Sequence, residues 1–173
     1  MDSIYLVVIK RFIFFIALQG FIFNNFDLYG MYDPYICLVF ILTFPTKINK
    51  ITFMVLCFIF GFVLDLFSNS LGLNTIACLT VAFLRSYIMG FIFGSFYDPV
   101  GLKLIKNYIS ETSFSQKFLY VFSIILIHHF FLFTLESLNF NYFMLTIKKI
   151  LITSILSMIF CYASILIMIK NEK

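Results

Sequence analysis

The run ITFMVLCFIFGFVLDLF at residues 51–67, the short SNSLG at 68–72 and LNTIACLTVAFLRSYIMGFIF at 73–93 decide the fold class of this chain. Each long run is close to the roughly 20 apolar residues that a helix needs to cross a bilayer. The five residues between them are small, polar or glycine, a turn composition. The stretch therefore reads as two membrane-spanning helices joined by a tight connection, with Asp65 the single acid in the first. The whole chain agrees with this reading. Of 173 residues, 62% are hydrophobic and 12% are charged, and the mean hydropathy is +1.06. A water-soluble domain carries about 25% charged residues, so too little polar surface is available to cover a soluble core. The fold class is all-α, a single integral membrane domain over residues 1–173.

Working outward, six spans are expected: Phe12 to Tyr29, Pro34 to Phe44, Ile51 to Phe67, Leu73 to Phe93, Phe118 to Leu138 and Ile150 to Ile169. The second is bracketed by Pro34 and Pro45 and is too short to cross alone, so a tilted, extended or re-entrant course is open. Lys10 and Arg11 ahead of an apolar run resemble a secretion signal, but no A-x-A cleavage pattern follows, which favours a retained span. The basic residues set the orientation. With the N-terminus inside, Lys10, Arg11, Lys47, Lys50, Lys103, Lys106, Lys117, Lys170 and Lys173 fall on the cytoplasmic side, whereas Lys148 and Lys149 fall outside. Both termini are expected in the cytoplasm. The segment from Tyr97 to Lys117, with Asp98, Pro99, Gly101 and Glu111, reads as a loop and leaves no soluble domain.

Polar groups within hydrocarbon are costly, about 2.5–3.5 kcal/mol for a central charge on insertion scales, so each needs a reason. Asp65 has two readings: a helix-end carboxylate reaching the interface or the next helix's first-turn donors, or a buried anchor for the junction with Gly72. Arg85 lies on one face with Asn74, Cys78 and Ala82. An Asp65–Arg85 ion pair is disfavoured by a difference in depth of about 14 Å, and Arg85 is expected to snorkel toward cytoplasmic phosphates. His128 and His129 point about 100° apart on their helix and cannot both ligate one metal from it. They read as neutral hydrogen-bonding groups, with a proton relay toward Glu136 as the sharper alternative.

The remaining features concern packing. Ala17, Gly20, Asn24 and Asp27 form one small-residue stripe, and Ser154, Ser157, Cys161 and Ser164 form another. Gly90 and Gly94 make a lone GxxxG. Such surfaces let helices approach closely, either within the bundle or against a partner's helix. Cys37, Cys57, Cys78 and Cys161 each lie in an apolar run without metal-ligand spacing. No phosphate loop, nucleophile elbow or intramembrane-protease pattern appears. No cofactor, no metal and no catalytic residue is expected, and the basic residues are no nucleic-acid footprint.

The order of these motifs resembles the MreD family of rod-shape-determining membrane proteins, over roughly Phe12 to Ile169. The resemblance rests on Gln19, then Asn24–Asn25 and the approach from Gly30 to Pro34 and Pro45. It continues through Gly61 to Asn69 with Leu71–Gly72–Leu73, then Ala82–Phe83–Leu84–Arg85, then Ile127–His128–His129–Phe130 with Leu135–Glu136. It implies a non-enzymatic scaffold in the bacterial inner membrane. The implied partners are MreC, a RodA-type glycosyltransferase with its transpeptidase, and indirectly MreB, organising lateral peptidoglycan synthesis and cell shape. The family is also similar in fold to the substrate-binding subunits of energy-coupling-factor vitamin transporters, six-helix bundles with an outward-facing cavity. That similarity supplies the alternative, a small-solute subunit with a cavity lined by Gln19, Asn74, His128 and Glu136.

Overall fold

The computed structural model describes residues 2–26, 31–94, 113–137 and 142–171. Six α-helices and no strand occur among the described residues: α1 (Asp2–Phe21), α2 (Leu38–Leu42), α3 (Lys50–Ser68), α4 (Leu73–Phe93), α5 (Phe114–Ser137) and α6 (Phe143–Asn171). A 3-10 turn, Phe23–Asn25, extends α1. Five of these stretches are long and apolar enough to cross a membrane: Ile4–Asn25, Lys50–Ser68, Leu73–Phe93, Phe114–Ser137 and Phe143–Met168. This is the architecture of a multi-pass membrane protein.

The short run from Pro34 to Phe44 takes a partly helical, buried course. Only its five central residues are helical, and every residue from Ile36 to Phe44 is buried. The segment is a core element wrapped by the long helices. That burial is what permits irregular backbone at this depth, since lipid offers no hydrogen-bond partners.

Several boundaries also move. α1 begins at Asp2, so Lys10 and Arg11 lie within the helix and do not precede it. α5 begins at Phe114, where the Ser113 hydroxyl accepts from the Gln116 N–H at 3.3 Å, a side-chain cap of the kind that starts helices. Lys117 is therefore helical. α6 begins at Phe143 and carries Lys148 and Lys149 in its first turns. Asp27, Tyr29, Gly30, Leu138, Lys173 and the loop from Tyr97 to Thr112, with Lys103, Lys106 and Glu111, lie outside the described residues, as does the side chain of Lys170.

Contacts fix the directions of the helices. Phe12 meets Phe60, and Gly20 meets Phe67, so α1 and α3 run parallel. Arg85 bonds Tyr120 and Gln116 reaches Ile92, so α4 and α5 are antiparallel. Lys149 pairs with Glu136, so α6 runs back against α5. The buried segment matters to this topology. Cys37 bonds Gln19 and Thr43 bonds Arg11, so the segment descends antiparallel to α1 and returns the chain to the end where α3 starts. Hence α1 begins and α6 finishes at the same end of the bundle, although only five helices are long.

The core is aromatic. Phe40 stacks on Phe60 with centroids 4.6 Å apart, and Phe44 lies 4.3 Å from Phe53. α3 thus meets the buried segment through rings, and the other helices meet it largely through polar groups.

Candidate functional site

A five-residue helix leaves most of its backbone donors and acceptors without intrahelical partners. Side chains from four surrounding helices bond the backbone at and just beyond its two ends. At the upstream end, Gln19 of α1 accepts from the Cys37 N–H at 3.2 Å and donates to the Pro34 carbonyl at 3.3 Å. Its amide also donates to Asn24 Oδ1 at 3.0 Å. From α6, Ser157 Oγ accepts from the Tyr35 N–H at 2.8 Å, and Cys161 Sγ donates to the Tyr35 carbonyl at 3.4 Å. At the downstream end, Arg11 donates to the Thr43 carbonyl at 3.3 Å. Arg85 donates to the Phe44 carbonyl at 2.6 Å through Nη2 and to the Tyr120 hydroxyl at 2.9 Å through Nε. Tyr120 in turn donates to the Leu42 carbonyl at 3.1 Å.

The expectation for Arg85 is therefore corrected. Its side chain is 4% exposed and turns into the bundle, with the guanidinium carbon 5.0 Å from the centre of the Phe53 ring. The buried Phe44 carbonyl and the Tyr120 hydroxyl take two nitrogens of the donor fork and hold it inside the bundle. Arg85 and Asp65 form no ion pair and serve opposite ends of the bundle.

Asp65 is the second polar centre, 6% exposed. Its Oδ1 accepts from the Asn74 N–H at 2.8 Å and from Ser70 Oγ at 2.5 Å. Its Oδ2 accepts from the Thr75 N–H at 2.9 Å and from Thr75 Oγ1 at 2.5 Å. Both of the readings left open meet in this geometry: a carboxylate near the end of α3, bonded to first-turn donors of α4, is a buried anchor of the junction. The turn between them needs two left-handed residues, Asn69 at φ 51° and Gly72 at φ 87°. Gly72 adopts that conformation without a Cβ penalty. One helical turn below, the α3 and α4 backbones nearly touch. A Cβ on Gly61 would stand 2.6 Å from the Thr75 Cα.

His128 and His129 are both fully buried and face different neighbours. His129 Nδ1 is 2.8 Å from the Ile125 carbonyl. A carbonyl only accepts, so the proton is assigned to Nδ1, and Nε2 faces the Ser157 hydroxyl at 3.4 Å. His128 Nε2 lies 3.7 Å from Cys78 Sγ. Tyr35 covers both imidazoles, at 5.6 and 5.2 Å between centroids. Glu136 bonds neither histidine among the described residues and makes a half-exposed ion pair with Lys149 at 2.8 Å. Among the described residues, no group of three or more metal-ligating side chains converges.

Among the described residues, two cavities lie beside the polar core. At the Asp65 end, one of about 170 Å³ is lined by Asp33, Tyr35, Ser70, Asn74, Glu136 and Lys149. It brings together two of the four residues expected to line a solute cavity, Asn74 and Glu136. Gln19 borders an adjoining cleft with Asn24 and Asn74 that has no room for a water, and His128 lies elsewhere, against Cys78. At the Arg85 end, a cavity of about 410 Å³ is bounded by Lys50, Phe53, Arg85, Ser86 and Tyr87.

The α6 stripe faces inward through Ser154, Ser157 and Cys161. Gly94 ends α4 at φ 54°, and no described residue lies within 4 Å of where its Cβ would stand. Sequence reading missed Arg11, Tyr35, Tyr120 and Thr75. The available signal was the proline-bracketed short run itself, whose unpaired ends require donors and acceptors from neighbouring helices. Comparison of the chain with known protein families, with curated proteins and with solved structures finds no match in any of the three.

Proposed function

We propose that this protein is a non-enzymatic scaffold in the bacterial inner membrane, acting in the cell-elongation complex as its resemblance to the MreD family implies. Its partners in this reading are MreC and, through it, the RodA-type glycosyltransferase, its transpeptidase and MreB. The observation that carries the reading is the use made of the interior polar groups. Gln19, Arg85, Tyr120, Ser157 and Cys161 are engaged with backbone of the chain's own buried segment, and Asp65 is engaged with the α3–α4 turn. Side chains committed to holding one shape suit a protein that presents a surface. The basic residues favour the orientation assigned to it. Lys47, Lys50 and Lys117 lie at the end where α1 starts, Lys10 and Arg11 lie about halfway along α1, and Lys148 and Lys149 lie at the other end. The positive-inside tendency supports a cytoplasmic side for the first end.

A second reading, a subunit that binds a small solute, draws on the polar cavity at the Asp65 end. Its volume of about 170 Å³ is below the roughly 300–1,000 Å³ usual for organic ligands, which counts against this cavity as the solute site. Affinity purification of the tagged protein in mild detergent, with mass spectrometry of what co-purifies, separates the two. Recovery of MreC and the elongation synthases supports the scaffold. Recovery of transporter ATPases with a coupling subunit overturns it. Asp65→Ala is expected to weaken recovery of MreC and to disturb cell shape.

A further inference from the structure

We propose that the cavity at the Arg85 end is a binding site for a phosphoryl group, held between Arg85 and Lys50. The proposal starts from an imbalance of charge. The cavity of about 410 Å³ is bordered by two cations, Lys50 and Arg85, and no acid is among its described lining residues. Arg85 is almost completely buried, yet all its partners among the described residues are neutral: a carbonyl, a phenol and an aromatic face. Two of its nitrogens, Nε and Nη2, are engaged, and no bond holds Nη1 among the described residues. Buried charges are ordinarily paired, and among the described residues this guanidinium has no anion.

The second cation has the same shortage. Lys50 Nζ lies 4.4 and 4.8 Å from the ring centres of Phe83 and Tyr87, and no carboxylate pairs with it among the described residues. Its helix, α3, starts at this cavity, so the positive end of the helix dipole faces the same space. The Ser86 hydroxyl is a further donor on the lining. Guanidinium, ammonium, hydroxyl and a helix start are together the chemistry that recognises phosphate oxygens. The wall beside them is apolar and open to the surroundings, with Phe83 46% and Tyr87 62% exposed. A phospholipid could lay its headgroup on the cations and its chain along these rings, and a soluble phosphoester would use the cations alone. The site is independent of the scaffold reading.

The test uses the full chain purified in a non-ionic detergent, with binding followed by native mass spectrometry. The probes are phosphatidylglycerol, inorganic phosphate and glycerol phosphate. Because Arg85 also holds the buried segment, the decisive variant is Lys50→Gln, with Ser86→Ala beside it and Lys148→Gln at the opposite end as control. The expected result is one retained phosphatidylglycerol per chain, bound about tenfold more weakly by Lys50→Gln and unchanged in Lys148→Gln. If millimolar glycerol phosphate does not displace it, the phosphoryl group comes from lipid. If phosphate or glycerol phosphate binds alone with the same dependence on Lys50, it comes from a soluble ester. Binding of every probe that is absent, or unaffected by Lys50→Gln, overturns the site.

Discussion

One carboxylate oxygen of Asp65 receives both the backbone N–H and the hydroxyl of Thr75, at 2.9 and 2.5 Å. The pair joins the end of α3 to the first turn of α4 and makes the acid structural. Hydrogen bonds to a charged group contribute about 1.5–3 kcal/mol each. Asp65→Ala should therefore lower stability by at least about 3 kcal/mol, and Thr75→Val by less, since the Thr75 N–H keeps its bond. Unfolding of the purified variants in a mixed-micelle denaturant series measures both. Equal stability of Asp65→Ala and wild type would remove the anchor role.

Gly61 and Gly20 both lie in close contacts, but against different material. An added methyl at Gly61 meets the Thr75 backbone at 2.6 Å, and at Gly20 it meets the Phe67 ring at 2.8 Å. Backbone cannot step aside without moving a helix, whereas a ring can change rotamer. Gly61→Ala should cost about 1–3 kcal/mol, the usual range for overpacking, and Gly20→Ala clearly less. The same unfolding measurement ranks them, and the reverse order would refute the argument.

Tyr120→Phe removes one oxygen that serves two partners. The Leu42 carbonyl would lose its donor and Arg85 Nε its acceptor. Leaving a buried group unsatisfied costs about 1–3 kcal/mol. Gln19→Met, close in shape, should cost a similar amount by freeing the Cys37 N–H and the Pro34 carbonyl. A double mutant losing much less than the sum would show that the two ends of the buried segment loosen together, as neighbours in one network do.

The four cysteines give a chemical check on the packing. Cys37, Cys57, Cys78 and Cys161 are all free and buried. In intact membranes, a maleimide should label none of them within minutes, and all four should react after denaturation in detergent. Prompt labelling of Cys37 in the native protein would mean that the central segment is open to water.

Much of the fold was legible because hydrophobicity and helix length are local properties. Two apolar runs around SNSLG specify a helical hairpin whatever surrounds them, and the acid before that turn already marked the junction. Asp65, Gly72 and Asn74 could thus be singled out together. Arg85 shows where this logic stops. Its position in the later half of an apolar run fits a snorkelling cation, and nothing local reveals that the carbonyl of Phe44, some forty positions upstream, would turn the guanidinium into the bundle.

The sequence by itself determined the solvent of this protein, its helical class and the long spans, because composition and hydrophobic run length settle where each residue is stable. Tertiary structure alone decided that residues 36–44 form the buried centre of the bundle. A short apolar run between two prolines is equally compatible with an interface, a re-entrant loop or a core. Only the convergence of Gln19, Arg11, Arg85, Tyr120, Ser157 and Cys161 on its unpaired backbone makes burial possible, and those residues are distant in sequence. Hydrogen-bond satisfaction in the interior is a property of the assembled helices, not of any one of them.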